Sequence, residues 1–278
     1  MIIAQQLYET GLITYHRTDS LNLSQLALGA AKKYITSTYK ASYSSTRTFK
    51  TKSRGAQEAH EAIRPSYPDK APDTTKLSGQ QLKLYDLIWR RFMASQMREA
   101  VFDSTAIDIK AENYTFRATG QILKFDGFLK MYPTNFEQAE LPDVSKGDSL
   151  ELIKLIPEQH FTQPPPRYTD ASLIKALEEQ GVGRPSTYAP TLTTIQARGY
   201  VEKNDQRRFT PTELGTKVDS LLLEHFPKIV DLKFTANMEE QLDDIAEGDQ
   251  EWVPMIKEFY SPFSKNLEKK YEEVSDKK

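Results

Sequence analysis

The sequence predicts an α+β protein of more than one domain, mainly helical, with one small antiparallel β part. Apolar residues recur at helical spacing in several segments, most clearly over 79–97. The period switches to two between residues 104 and 132, with turn-forming residues inside the alternating stretch. A chain of 278 residues is long enough for about two domains at ~150 residues each. Three consecutive prolines, Pro164 to Pro166, mark an extended connector between modules.

Composition narrows the class. With 38% hydrophobic and 27% charged residues the chain can bury real cores. No apolar run approaches the ~18 to 20 residues of a membrane span, and the N-terminus lacks a basic region followed by a long apolar stretch. The absence of cysteine excludes a disulfide framework, a thiol nucleophile and a cysteine zinc site, and fits a cytoplasmic protein. The formal net charge of −2 conceals an uneven distribution. Nine basic residues face three acidic ones between Thr14 and Arg64, against nine and sixteen between Pro211 and Lys278. A local basic field of that kind suits a polyanion, and a set of ordinary solvated helix faces would look the same.

Residues 4–9 and 21–38 read as helix, followed by a polar basic loop over 40–57. The segment 79–97 reads as an amphipathic helix with Leu82, Leu84, Leu87, Ile88 and Phe92 on its apolar face and with Trp89 and Met93 as packing residues. Over 104–132, Ala106, Ile109, Tyr114 and Phe116 alternate with polar partners, interrupted at Glu112-Asn113 and at Phe125-Asp126-Gly127. The alternation resumes over 148–161, which predicts a further strand of the same unit.

After the prolines, Asp170 is expected to cap a helix that stops at Gly181. Pro185 and Ser186 open a second helix that runs through Arg198 to Gly199, and a short hairpin turns about Asn204-Asp205. Helix, turn, helix and hairpin in that order is a winged-helix pattern, a frequent nucleic-acid-binding unit. Arg184, Ser186 and Thr187 stand at the start of the second helix, where free N–H groups and the helix dipole favour a phosphate. Arg198 lies about three turns further on. The alternative is that Ser186 only caps and Arg184 only pairs with an acidic neighbour.

Two stretches hold candidate chemistry. In GLITYHRTDS (11–20), Tyr15 separates an apolar run from a histidine, an arginine, a threonine and an aspartate. In AQEAHEAIRPS (56–66), His60, Glu61 and Arg64 combine a proton-transfer group with a possible phosphate clamp. The four histidines lack zinc-ligand spacing.

These two stretches, with QQLKLYDLIWRRFMASQM, PPRYTDASLIKALEEQGVGRPSTYAPTLTTIQARGYV and FTANMEEQLDDIAEGD in the same order, resemble the central part of bacterial DNA topoisomerase I, a type IA topoisomerase. The resemblance implies that Tyr15 attacks a phosphodiester of single-stranded DNA, forms a 5′-phosphotyrosine, frees a 3′-hydroxyl and reseals after strand passage without ATP. It implies Arg17 as the active-site arginine, with Asp19 and His60 as supporting polar groups. His16 occupies a place where methionine is more usual, read as a neutral change. A phenol of pKa ~10 is a poor nucleophile at neutral pH, so a fixed cation nearby suits the attack and the charge it builds.

The resemblance further assigns 1–99 to a tyrosine-bearing helical domain, 100–165 to part of a β gate and 166–278 to part of a domain lining the single-strand path, all pieces of a toroidal core. Arg184, Ser186, Thr187 and Arg198 are then expected to bind single-stranded or negatively supercoiled DNA, with Arg167, Arg207 and Arg208 as weaker backbone contacts. Family members carry a TOPRIM domain whose acidic residues hold Mg²⁺. No D-x-D segment here replaces it, so the chain is expected to be a truncation that lacks this domain and the zinc ribbons, with no metal site of its own. Other readings are a winged-helix DNA-binding module with a vestigial tyrosine and a tyrosine recombinase. The recombinase order places its arginines and histidines before a tyrosine near the C-terminus, the reverse of the order here.

Overall fold

The computed structural model describes residues 1–49 and 60–275, which fall into two compact units divided between Phe161 and Thr162. In the first unit, α1 (Ile2–Glu9), α2 (Gln25–Tyr39) and α3 (Gly79–Ser95) pack around one core. Ser24 caps α2 by accepting a hydrogen bond from the Ala27 amide. The buried stripe of α3 is Tyr85, Trp89, Phe92 and Met93. It is rotated from the expected one: Leu87 is 47% exposed. The aromatic rings find both apolar contact and a polar partner: the Tyr85 hydroxyl donates to the Lys70 carbonyl (2.8 Å) and the Trp89 indole to the Pro68 carbonyl (2.8 Å). Burial pushes the Tyr85 phenol up to about 12.

Part of the expected basic loop is tied down. A short 3₁₀ turn spans Ala41–Tyr43, and the Gln96 carbonyl and side chain accept from the Ser45 and Arg47 amides. The remainder of that loop, 50–57, lies outside the described residues.

Strands β1 (Val101–Ala111) and β2 (Tyr114–Phe125) form the expected antiparallel hairpin, in register from Phe102↔Leu123 to Ala111↔Tyr114, with Glu112 at φ +53° in the two-residue turn. Its base is anchored where the Tyr43 hydroxyl donates to Asp126 (2.7 Å). The strand expected over 148–161 is not formed. Its apolar residues Leu150, Leu152, Ile153, Leu155 and Ile156 are exposed, because a period-two pattern fixes which side chains share a face but supplies no neighbouring strand.

The second unit runs α4 (Asp170–Glu179), α5 (Tyr188–Ala197), β3 (Val201–Lys203), β4 (Phe209–Pro211), α6 (Glu213–His225), α7 (Leu232–Glu247) and α8 (Trp252–Ser275). The expected order of helix, helix and hairpin is present, with different caps. Thr169, not Asp170, caps α4 in a reciprocal capping box with Ser172, and Asp170 pairs with Lys203 at 2.7 Å. Helices α4 and α5 both end in Schellman turns with glycine in the left-handed region, Gly181 (φ +70°) and Gly199 (φ +68°). At Gly215 in α6 an added Cβ would stand 2.0 Å from the Tyr200 carbonyl oxygen, so the first turn of α6 and the start of β3 approach to a distance only glycine permits. Leu192, Phe209 and Met255 are the buried apolar residues of this unit.

Candidate functional site

Tyr15 owes its position to a helix stop and a short ladder. At the end of α1 the Gly11 amide donates to the Tyr8 carbonyl (2.8 Å) and the Leu12 amide to the Leu7 carbonyl (2.9 Å), with Gly11 at φ +70°. This Schellman turn sends the chain back along the core. Residues 12–14 then pair antiparallel with 64–66: the Ser66 amide donates to Leu12, the Thr14 amide to Arg64, and Ile13 bridges Pro65. The Thr14 hydroxyl adds a bond to the Ala62 carbonyl (2.7 Å) and accepts from the Arg64 amide (2.9 Å). Ile13 is fully buried and pins the register.

The ladder brings the tyrosine motif and the histidine motif together. Three rings surround the half-buried phenol ring of Tyr15, all edge-on: Tyr8 at 5.3 Å, His60 at 5.3 Å and His16 at 5.5 Å between centroids. Arg17, two residues on from Tyr15, is exposed, and Asp19 is half-buried further along the same loop. His16 is buried, and neither ring nitrogen has a hydrogen-bond partner among the described residues. Burial first, and then the Arg17 charge, hold its imidazole below the ordinary histidine value.

Arg64 is not a phosphate clamp. It is 9% exposed, and its guanidinium is consumed by the fold: Nε donates to Glu61 (2.6 Å), Nη1 to the Pro65 carbonyl (2.8 Å) and Nη2 to the Ser24 hydroxyl (3.3 Å). It braces the 60–66 segment that carries His60.

In the second unit the expected phosphate pocket is internally satisfied. Arg184 Nη1 donates to the Gly183 carbonyl (2.8 Å), and Nη2 to Asp243 on α7 (2.5 Å), with Glu239 3.7 Å from the guanidinium. Thr187, rather than Ser186, is the N-cap of α5, and its hydroxyl accepts from the Arg184 amide (2.9 Å) instead of the helix. Ser186 is exposed. Arg198 is the C-cap of α5, so it stands at the far end of a ten-residue helix, about 15 Å from the turn at Arg184, and no single phosphate spans both. Arg207, at φ +57° on the hairpin tip, and Arg167, in the extended segment before α4, are exposed; Arg208 is half-buried on the hairpin.

Among the described residues no group of three or more His, Asp or Glu side chains is placed to hold a metal ion. Residues 56–59 of the histidine motif lie outside the described residues. Sequence patterning did not single out Tyr8 or the partners Asp243 and Glu239. The helix-stopping Gly11 is the local sign that Tyr8 and Tyr15 face each other, whereas the Arg184 partners are set by tertiary packing.

Residues 1–257 match the DNA topoisomerase family. The fold superposes on full-length topoisomerase I from Thermotoga maritima with a TM-score of 0.80 and 35% sequence identity, over 95% of this chain and 45% of that one. This chain thus spans less than half the length of that relative. No helix among the described residues is long and apolar enough to cross a membrane. The chain belongs to the DNA topoisomerase family and has the α+β fold of a bacterial topoisomerase I.

Proposed function

We propose that this chain carries the strand-cleaving tyrosine of a type IA DNA topoisomerase. The observation that carries the reading is the packing of Tyr15 against His60, with Arg17 exposed two residues further on, built by the ladder between 12–14 and 64–66. The Tyr15 phenol oxygen attacks a backbone phosphorus of single-stranded DNA and forms the Tyr–O–P bond. The P–O3′ bond breaks and the 3′ oxygen leaves as a hydroxyl after taking up a proton. The reverse attack by that hydroxyl reseals the strand, so bond energy is conserved and no ATP is consumed. Arg17 supplies positive charge for the oxygens that become more negative in the transition state. His60, packed on the Tyr15 ring, and Asp19 orient this array.

Single-stranded and negatively supercoiled DNA are the proposed substrates. Arg184, Ser186, Thr187 and Arg198 would contact the strand backbone through the winged-helix-like module, with Arg167, Arg207 and Arg208 flanking it. Because Arg184 is paired with Asp243 and Glu239, a DNA phosphate has to compete with two carboxylates for it. The described residues do not fit a Mg²⁺ site. In this reading Mg²⁺ dependence comes from an acidic domain of the TOPRIM type, and without that domain the 278-residue chain is expected not to relax supercoiled plasmid.

The test is denaturing-gel capture of end-labelled single strands, using the complete enzyme or this chain supplied with the acidic domain. The label on the piece downstream of the break should migrate with protein, and Tyr15→Phe should abolish that band while leaving strand binding nearly intact. Arg17→Ala should slow cleavage by about 10² to 10³. An unchanged band in Tyr15→Phe would contradict the reading and leave a DNA-binding module as the better description.

A further inference from the structure

The strand-cleavage scheme assigns no task to His16, yet its place in the structure is unusual. Its side chain is 5% exposed, and both ring nitrogens lack a hydrogen-bond partner among the described residues. A buried polar group left unpaired is costly, and such groups are rare in native proteins. A thioether or an aliphatic side chain would fill the same space without that cost. What an imidazole adds is a proton that comes and goes near neutral pH.

The ring stands directly behind the proposed nucleophile. It meets Tyr15 edge-on at 5.5 Å and 62° and lies against Tyr8 on α1 at 6.1 Å and 48°. Among the described residues, the charged groups that act on it lie close by. On its own loop, Arg17 opposes a second positive charge; on α1, the Met1 amino group opposes it and Glu9 favours it. The Tyr15 ring also meets Tyr8 and His60 edge-on, each at 5.3 Å. An imidazolium would bring a second N–H donor into a site where, among the described residues, neither nitrogen of the neutral ring is satisfied. Such a charge is not retained in a buried site without a partner; the ring leaves or water enters. Departure of the ring removes one of the three rings around the Tyr15 phenol, and entry of water loosens the contact between them.

We propose that His16 is a positioning residue for Tyr15: its uncharged imidazole braces the phenol ring, and uptake of a proton removes that brace. The consequence for catalysis, an acid limb in strand cleavage, rests on Tyr15 being the nucleophile. The brace itself concerns only the two rings.

The test is an NMR pH titration of the full 278-residue chain carrying ¹³C-labelled histidine and tyrosine rings. The His16 ring is expected to protonate with a midpoint below ~6.5, and the Tyr15 ring resonances to shift with the same midpoint. The braced population should fall about tenfold per pH unit below it. His60→Gln should leave that Tyr15 step in place, and His16→Met should remove it. Should His16→Met fail to fold, the wild-type and His60→Gln titrations still decide. Tyr15 resonances that ignore the His16 midpoint, that keep it in His16→Met, or a His16 ring that titrates at or above ~6.5 or stays neutral until the unit unfolds, each overturn the proposal. A Tyr15 step that follows His16 in an enzyme forming no adduct at Tyr15 would overturn the nucleophile assignment and leave the brace standing.

Discussion

Replacing Arg64 by Met separates a structural brace from a DNA contact. The guanidinium is held by Glu61, the Pro65 carbonyl and Ser24, with side-chain exposures of 11% for Arg64 and 31% for Glu61. Removing one partner of a buried ion pair costs about 3–5 kcal/mol, chiefly because the other charge is left uncompensated. Glu61 retains some access to water, which puts the expected loss near the lower end, about 3 kcal/mol. At about 2–4 °C per kcal/mol for a unit of 150–250 residues, the melting temperature of the unit 1–161 should fall by about 6–12 °C. The unit can be followed through Trp89, buried in its core, in a Trp252→Phe background, since Trp252 is the other tryptophan and belongs to the second unit. Adding Glu61→Gln should recover part of the loss, because the orphaned charge is then gone. A variant that melts within about 2 °C of the parent while losing affinity for single-stranded DNA would refute the reasoning and restore Arg64 as a phosphate ligand.

Other consequences follow from the same geometry. Asp243→Asn should remove one of the two carboxylates that compete for Arg184, raising affinity for single-stranded DNA by up to about fourfold at 0.15 M salt and steepening the salt slope by up to ~0.7, which a fluorescence anisotropy titration reads; an unchanged or weaker affinity counts against Arg184 as a strand contact. Gly215→Ala should destabilise the second unit by about 3 kcal/mol, because the added Cβ meets the Tyr200 carbonyl oxygen at 2.0 Å, and equilibrium denaturation of that unit should show it. Thr169→Ala should lower its stability by about 1 kcal/mol through loss of the α4 capping box, checked in the same assay. For His16, the folded state disfavours the proton relative to the unfolded chain, so its contribution to stability is complete above ~6.5 and is lost as pH falls toward the lowered folded value. The acid-side decline of the first unit's melting temperature should therefore be shallower in His16→Met.

What could be read from the sequence was what neighbouring residues decide. The stops at Gly181 and Gly199 follow from the left-handed backbone each adopts, and the hairpin turn at Glu112-Asn113 lies where the alternation breaks. The tyrosine and histidine motifs were both visible, but the ladder joining them is a long-range pairing with no local signature. The same limit explains the misread parts. Residues 148–161 alternate like a strand and lack a partner. The face of α3 turned toward Tyr85 and Trp89 because their rings reach both the core and the Lys70 and Pro68 carbonyls, which leucine spacing does not reveal. The sequence left Arg184 either as a phosphate ligand or as the partner of an acidic neighbour, and could not show that the partner is Asp243, 59 residues along the chain.

The central claim is that Tyr15, among fourteen tyrosines, becomes joined to DNA. Trypsin should release residues 1–17 as one peptide, with Tyr8 and Tyr15 its only phenols. After the trapped covalent complex is digested with nuclease and trypsin, tandem mass spectrometry should find the nucleotide on Tyr15, attached through a 5′-phosphate, and Tyr8 unmodified. A nucleotide on Tyr8 or on a peptide outside residues 1–17, or attachment through a 3′-phosphate, would contradict the account.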